Sequence, residues 1–220
     1  MDRCHKSGAR KLLSLLLICL LGLSAGGCAA VATAMYIVKG TDVDAEYKEL
    51  VGKRVAVVCR PAASLQYGKT AVSKELAEAV SAMLRANVRK IEVVPQQDIE
   101  EWMDENTWDE FTEVGEAVDA DQVVAIELDH FSLYQGQTTY QGRSDVRIAV
   151  YDMEKEGEIT FEKGPPEFLY PPNIGMPTFE KPEQQFRREF VAAAARDIAQ
   201  HFYDHDSRVE FAEDAQAFNR

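Results

Sequence analysis

The chain lacks the features of a disulfide-stabilised or nucleic-acid-binding protein. It has four cysteines among 220 residues, and only Cys59 lies beyond residue 28. One cysteine cannot form an internal disulfide, so the fold must depend on its hydrophobic core. Basic residues are also few, because 24 Lys and Arg stand against 37 Asp and Glu and leave a net charge of −13. Such a surface repels phosphate, which argues against nucleic acid as a partner.

Catalytic and cofactor motifs are equally scarce. Residues 63–70 follow a predicted strand and end in Gly-Lys-Thr, but Ala63 stands where a phosphate-binding loop requires glycine. Lys69 is therefore expected to lie in an ordinary turn before a helix. His130 follows Asp129 at the end of another predicted strand, and no nucleophile in a known motif accompanies it. We expect no nucleotide, no other cofactor and a surface role for His130.

Two histidines near the end of the chain suggest a possible metal site. His201 and His205 are four residues apart on the predicted last helix, a spacing that places two imidazoles on one face. Phe202 and Tyr203 occupy positions between them, so the glutamate of a metalloprotease helix is missing. No third ligand is evident. We therefore expect a solvated helix end and no bound metal.

The first 28 residues carry the strongest signal in the chain. Basic residues precede an uncharged stretch that starts at Leu12 and ends in Ala25-Gly26-Gly27-Cys28. This order is typical of a secretory signal peptide. The cysteine after small residues resembles the lipobox of bacterial lipoproteins. That resemblance implies removal of residues 1–27 and a lipid on Cys28. It also implies a periplasm-facing position on a bilayer of the cell envelope, with the outer membrane favoured because Ala29 follows the cysteine.

An uncleaved anchor is the alternative interpretation of the same segment. Residues 12–38 contain no charged residue, and about 20 apolar residues suffice to span a bilayer. The basic residues on the N-terminal side predict that the N-terminus stays in the cytoplasm. Glycines interrupt the stretch, which favours the cleaved signal. Both interpretations place the folded part outside the cytoplasm.

The rest of the chain predicts a single α/β domain. Continuous apolar runs at 54–59, 91–94 and 123–128 predict buried strands, and the segments between them predict helices. This order is typical of parallel strands joined by crossovers. Strict alternation in residues 145–151 predicts an antiparallel strand. Further predicted elements are strands at 130–134 and 158–162, helices at 96–103, 110–118 and 182–203, and an ordered loop at 165–172.

These elements define four regions and a core. We expect a signal peptide over residues 1–27, a lipid-anchored tether over 28–53, the domain over 54–205 and an acidic tail over 206–220. The domain should contain a mixed sheet, parallel on one side and antiparallel on the other, with helices packed against it. Cys59 is expected to be a buried structural thiol. The side chains predicted to be buried together are Val57, Leu76, Val94, Val124 and Ile126.

Two segments resemble known envelope proteins. Residues 52–58 read Gly-Lys-Arg-Val-Ala-Val-Val, and residues 114–124 read as a helix that ends near Ala-Asp and enters a strand. Both are similar to the curli-secretion lipoproteins, the lipoprotein activators of penicillin-binding proteins and the N-terminal domain of the Tol-Pal propeller protein. The resemblance covers residues 52–151. It implies an α/β fold and a protein that acts in envelope assembly through contacts with other proteins.

The resulting hypothesis is a non-enzymatic envelope lipoprotein that scaffolds or regulates an envelope protein partner. Trp102 and Trp108 are the candidate partner contacts, because aromatic side chains concentrate at protein interfaces. A small periplasmic hydrolase with an unrecognised site is the alternative hypothesis.

Overall fold

The computed structural model describes residues 42–61, 70–164 and 167–206. The larger of two compact units is Asp44–His205, and the described residues of the other are 42, 43 and 206. The elements, in chain order, are β1 Asp42–Val43, β2 Arg54–Pro61, α1 Thr70–Asn87, β3 Glu92–Val93, α2 Gln96–Glu105, α3 Phe111–Ala117, β4 Gln122–Tyr134, β5 Thr139–Asp152, β6 Glu158–Lys163, β7 Glu167–Tyr170, β8 Met176–Pro177, α4 Glu183–Ala199 and β9 His205–Asp206.

The main sheet is mixed, as the sequence predicts. Its strand order is β3-β2-β4-β5-β6, and β7 and β8 pair farther along β5. Strand β2 is parallel to both β3 and β4. The helices between these strands return the chain to the end of the sheet at which β2 begins. Strands β4, β5 and β6 are antiparallel. The α/β fold with a parallel and an antiparallel side is therefore confirmed.

The antiparallel side differs from the prediction in two places. Residues 130–134 do not form a separate strand, because they continue β4 through register shifts after Leu128 and Ser132. Such bulges let one strand bend while its pairing continues. The predicted loop at 165–172 contains β7, which pairs with the first half of β5. Strand β5 is long enough to pair with β6, β7 and β8 in succession along one edge.

Helices α1 and α4 cover one face of the sheet and form the first core. Leu76 of α1 packs there with Val57, Val124 and Ile126, and Phe190 of α4 is fully buried. Alternate residues of each strand point to this face, which explains why the run 54–59 contributes only every second side chain. Cys59 is buried in the same cluster, and burial raises the pKa of its thiol to about 12.

Helices α2 and α3 cover part of the opposite face and form a second core. Ile99 of α2 and Val114 of α3 pack there against Ala56 and Val58. Val94 also belongs to this second cluster. The prediction that Val94 lies with Leu76 is therefore wrong, although both are buried. Neighbouring residues on an extended chain face opposite ways, so Val93 faces the first core and Val94 the second.

The packed domain begins before Arg54, the predicted boundary. Tyr47 and Leu50 lie in the expected tether, yet both are buried in the first core. The Tyr47 hydroxyl lies 2.8 Å from Thr160 Oγ1 and accepts a hydrogen bond from Gln122 Nε2 at 3.1 Å. Two isolated large apolar residues in a polar stretch show no periodicity, which is why the sequence pattern did not include them. We call residues 44–50 the strap.

Gly142 of β5 provides a test of the first core. A Cβ at this position would lie 2.5 Å from the Phe190 ring, and Phe190 is held by stacking on Phe131. We expect Gly142→Ala to lower the free energy of unfolding by about 1–3 kcal/mol, because the packed ring cannot move aside. Gly164→Ala is the control, since nothing lies within 4 Å of its Cβ. Equal denaturation midpoints for the two variants would contradict this packing.

Candidate functional site

A groove lies on the second face of the sheet, between α3 and β6. Its floor is the directly paired Ala125 of β4 and Ala149 of β5, whose methyl groups leave a depression. Phe111 of α3 and Ile159 of β6 form its sides, and the cavity measures about 140 Å³. Ile159 is 47% exposed. We call this feature the alanine groove.

Charged side chains fix the rim of the alanine groove. Arg60 donates to one carboxylate oxygen of Glu127 at 2.9 Å, and Arg147 donates to the other at 3.3 Å. The Arg60 guanidinium also lies 4.5 Å from the centre of the Phe111 ring. Burial raises the pKa of Tyr151, and the nearby Glu127 carboxylate adds to that effect. The rim therefore presents the phenol of Tyr151, the exposed side chain of Glu162, and Arg147, which is paired with Glu127 and Asp129.

Three exposed apolar side chains lie on segments that meet near the start of β5. Phe179 is 87% exposed, Ile174 is 68% exposed and Tyr134 is 42% exposed. We call these three residues the apolar tip. The Tyr134 hydroxyl donates to Glu183, and this bond raises the pKa of Tyr134 to about 12. Single exposed apolar residues are ordinary, whereas several on one part of a surface are typical of an interaction surface.

The backbone around the apolar tip is held in place. Strand β8 pairs with the start of β5, with Tyr140 opposite Met176. The amide of Thr178 donates to the Thr138 carbonyl at 3.0 Å, and that of Glu180 to the Pro177 carbonyl at 3.1 Å. Phe179 therefore lies between two hydrogen-bonded residues. Its exposure is a property of a fixed turn.

The predicted partner contacts lie beside the second core. Trp102 and Trp108 are both partly buried against that cluster. The Trp108 ring is 5.7 Å from the Phe111 ring and 5.3 Å from the Arg60 guanidinium. Trp108 therefore supports one side of the alanine groove through Phe111, whereas Trp102 lines a separate cleft with Arg54.

The two candidate metal-binding histidines do not share a helix. Helix α4 ends at Ala199, His201 lies in a 3-10 turn and His205 lies in β9. The expected spacing on one helix face is therefore wrong, because the helix ends before the first histidine. The side chain of His201 instead lies 3.1 Å from a Glu46 carboxylate oxygen. Within residues 42–61, 70–164 and 167–206, no group of three or more His, Cys, Asp or Glu side chains is arranged to hold a metal.

Other predicted residues lie in less informative places. Cys28 and Lys69 fall outside the described residues. His130 is half-buried in β4 opposite Asp145, and Asp129 lies 3.8 Å from Arg147. The alanine groove and the apolar tip were missed by the sequence analysis. Alanine in a strand is a weak signal, and Phe179 belongs to no periodic pattern.

Ion pairs hold the strap against the end of α4 and β6. Glu46 accepts a hydrogen bond from Lys163 and lies beside His201. The bond from Lys163 lowers the pKa of Glu46 below 4.5, and the charge of His201 contributes. A carboxylate with a lowered pKa stabilises the fold above its unfolded pKa and loses that contribution as the pH falls through the folded value.

We therefore expect Glu46→Gln to destabilise the domain at pH 7 and to lose this difference below pH 4.5. Burial, and then the charge of Lys163, lower the pKa of His201 below 6.5. Protonation of His201 therefore lowers the stability of the fold further as the pH falls. Thermal unfolding at steps between pH 7 and pH 3 measures the difference, with the exposed Glu78→Gln as control. A constant difference across this range would show that the Glu46 contact does not titrate.

Comparisons with known proteins show similarity to lipoproteins at the level of fold. No family model matches the sequence, and no curated protein matches it. Among solved structures, the lipoprotein GNA1162 from Neisseria meningitidis is 13% identical, with 66% of this chain and 97% of that chain covered and a TM-score of 0.41. A minor lipoprotein from Acinetobacter baumannii is 11% identical, with 70% and 98% covered and a TM-score of 0.35.

A third solved structure is also similar in fold. The C-terminal domain of LpoB from Salmonella enterica is 15% identical, with 54% of this chain and 83% of that chain covered and a TM-score of 0.36. Lipoproteins are therefore among the solved structures to which this chain is similar in fold, as the resemblance expected from the sequence implies. In the part of the chain that the structure describes, no helix combines the length and apolar character needed to cross a bilayer.

Proposed function

We propose that this chain is a lipid-anchored envelope lipoprotein that works by protein contact and not by catalysis. The anchor is a lipid on Cys28 after removal of residues 1–27, and the domain faces the periplasm. The observation that supports the contact role is the apolar tip, where Phe179 is 87% exposed on a hydrogen-bonded turn. Exposing this much apolar surface is unfavourable in water, so a partner that covers it gains binding free energy.

The tip and the strap lie near opposite ends of α4. The strap packs beyond the C-terminal end of α4, where the Tyr47 and Phe202 rings are 6.2 Å apart. The tip lies at the N-terminal end of the same helix, where Tyr134 bonds Glu183. At 1.5 Å per residue, α4 is about 25 Å long. The tip and the strap are therefore separated by about the length of this helix.

A charge at the tip tests the contact role. We expect Phe179→Asp, in the full-length chain, to lose the proteins that the wild-type chain retains through affinity purification from detergent-solubilised membranes. Val51→Asp is the matched control, because Val51 is 48% exposed and lies near the strap. Quantitative mass spectrometry compares the three samples. If both variants retain the same co-purified proteins, the tip does not bind them, and the proposed contact role loses its main support.

A further inference from the structure

The cleft that Trp102 lines, between α2 and the C-terminal end of α3, measures about 470 Å³. Ligand pockets in proteins usually have volumes of about 300–1,000 Å³. Four acidic residues line it: Asp98, Glu101, Glu105 and Asp119. We call this feature the acidic cleft. We propose that the acidic cleft binds arginine side chains of the partner protein. This inference rests on the proposed contact function and specifies the chemistry of the segment that the partner presents.

Helix α2 places three of these carboxyl groups and the aromatic ring on one face. Asp98, Glu101 and Glu105 follow one another at steps of three and four residues, and Trp102 lies in the same stripe. Like charges at this spacing repel each other and destabilise a helix. A cation in the cleft removes that repulsion, and an aromatic ring attracts a cation placed over its face. The stripe therefore favours a positively charged ligand for two separate reasons.

The acidic residues of the cleft lack counter-ions within the described part of the protein. On the neighbouring face of α2, Lys74 Nζ lies 3.1 Å from Glu100 and 3.7 Å from Asp104. None of the four acidic residues of the cleft forms an ion pair within residues 42–61, 70–164 and 167–206. The chain thus neutralises one acidic face of α2 and leaves the other without a positive charge. Opposite charges on a partner would orient the contact and raise its rate of association.

Arg54 shows how the acidic cleft accommodates a guanidinium group. Its Nε donates to the Asp119 carbonyl at 3.1 Å, and its Nη2 donates to the Val118 carbonyl at 3.3 Å. Its Nη1 donates to Glu92, which does not line the cleft. The charge of Arg54 is therefore paired outside the acidic stripe. The α3 side of the cleft already binds one guanidinium group, and the carboxyl groups of α2 remain for others.

The distribution of the charges indicates an organic cation and not a metal ion. Among the residues that the structure describes, no three His, Cys, Asp or Glu side chains are arranged to hold a metal. Asp98 and Glu105 are seven residues apart on α2, which is about 10 Å along the helix. Several cations on an extended segment match this spacing. Arginine suits the cleft better than lysine, because its planar group both pairs with carboxylates and stacks on aromatic rings.

Trp102 provides a fluorescence reporter for this proposal. The chain contains two tryptophans, so Trp108→Phe leaves Trp102 as the only one. We expect a hexa-arginine peptide to change the tryptophan fluorescence of this full-length variant in a neutral detergent, with saturation. Hexa-lysine should bind more weakly, and magnesium chloride at the same ionic strength should give no saturable change.

Two matched triple variants in the same background separate the acidic cleft from the overall negative charge. The cleft variant combines Asp98→Asn, Glu101→Gln and Glu105→Gln, and should raise the Kd for hexa-arginine by about tenfold or more. The control variant removes the same charge at exposed positions elsewhere, through Glu49→Gln, Glu78→Gln and Glu158→Gln. It should change the Kd by less than about twofold, because salt screens distant charges.

Three results would overturn the arginine site. Equal loss of affinity in the two triple variants would show that the peptide binds the net charge of the chain. Hexa-lysine binding as tight as hexa-arginine would remove the preference for arginine. A saturable change with magnesium chloride alone would show that the cleft binds a metal ion.

Affinity purification from membranes tests the same cleft with the partner itself. The cleft variant should lose a protein that the control variant retains, and equal recovery would overturn the cleft as a partner site. The two proposals can fail separately. If hexa-arginine does not bind, the arginine site is wrong and the contact role of Phe179 stands. If Phe179→Asp retains every co-purified protein, the contact role of the tip is lost whatever the peptide result.

Discussion

Replacing Leu76 with alanine is expected to lower the free energy of unfolding by about 2–5 kcal/mol. Leu76 is 2% exposed and packs in the first core with Val57 and Ile126. Alanine removes the buried methyl groups and leaves a cavity that the rigid sheet cannot fill by relaxing. A domain of this size is stable by only about 5–15 kcal/mol, so the variant loses a substantial share of its stability.

The same helix supplies the control for Leu76→Ala. Glu78 is exposed two residues later, and alanine has the higher helix propensity, so Glu78→Ala should change stability by a few tenths of a kcal/mol. Urea titration of a soluble form that starts at Thr41 measures both variants. A change near zero for Leu76→Ala would show that α1 does not pack on the sheet as described.

Replacing Cys28 with alanine is expected to abolish lipid attachment completely. If the Ala25-Gly26-Gly27-Cys28 junction is a lipobox, Cys28 is the residue that receives the lipid. Removal of residues 1–27 should be blocked as well. Metabolic labelling with a radioactive fatty acid should mark the wild-type chain and leave Cys28→Ala unlabelled and larger on a gel.

Cys19→Ala is the matched control for this experiment. Cys19 lies inside the segment expected to be removed, so its loss should change neither labelling nor the size of the mature chain. Equal labelling of wild type and Cys28→Ala would contradict the lipobox. An unlabelled wild-type chain that retains residues 1–27 would instead support the uncleaved anchor.

The sequence predicted those parts of the fold that follow from local apolar patterns. The apolar run at 54–59 is too short for a typical helix, and an amphipathic segment follows it. This pattern predicts a buried parallel strand. The face of the sheet to which a residue points was harder to predict from the sequence, as Val94 shows. A single residue of register decides the face of an extended chain, and that register is set by pairing with β2.

The candidate site depends on features that sequence patterns do not carry. Ala125 and Ala149 form a floor only because the register of β4 and β5 pairs them, and they are far apart in sequence. Phe179 is exposed because β8 returns the chain to the edge of β5. The strap was missed for a similar reason, since Tyr47 finds its partners more than seventy residues away. Long-range pairing determines all three features.

The most direct test of the account is the intact mass of the full-length chain recovered from the membrane fraction. The account predicts a mature chain that begins at Cys28 and carries a diacyl or triacyl modification on that residue. The mass difference from the unprocessed chain should equal the loss of residues 1–27 combined with the gain of the lipid. Recovery of an unmodified chain that begins at Met1 would contradict the lipoprotein assignment.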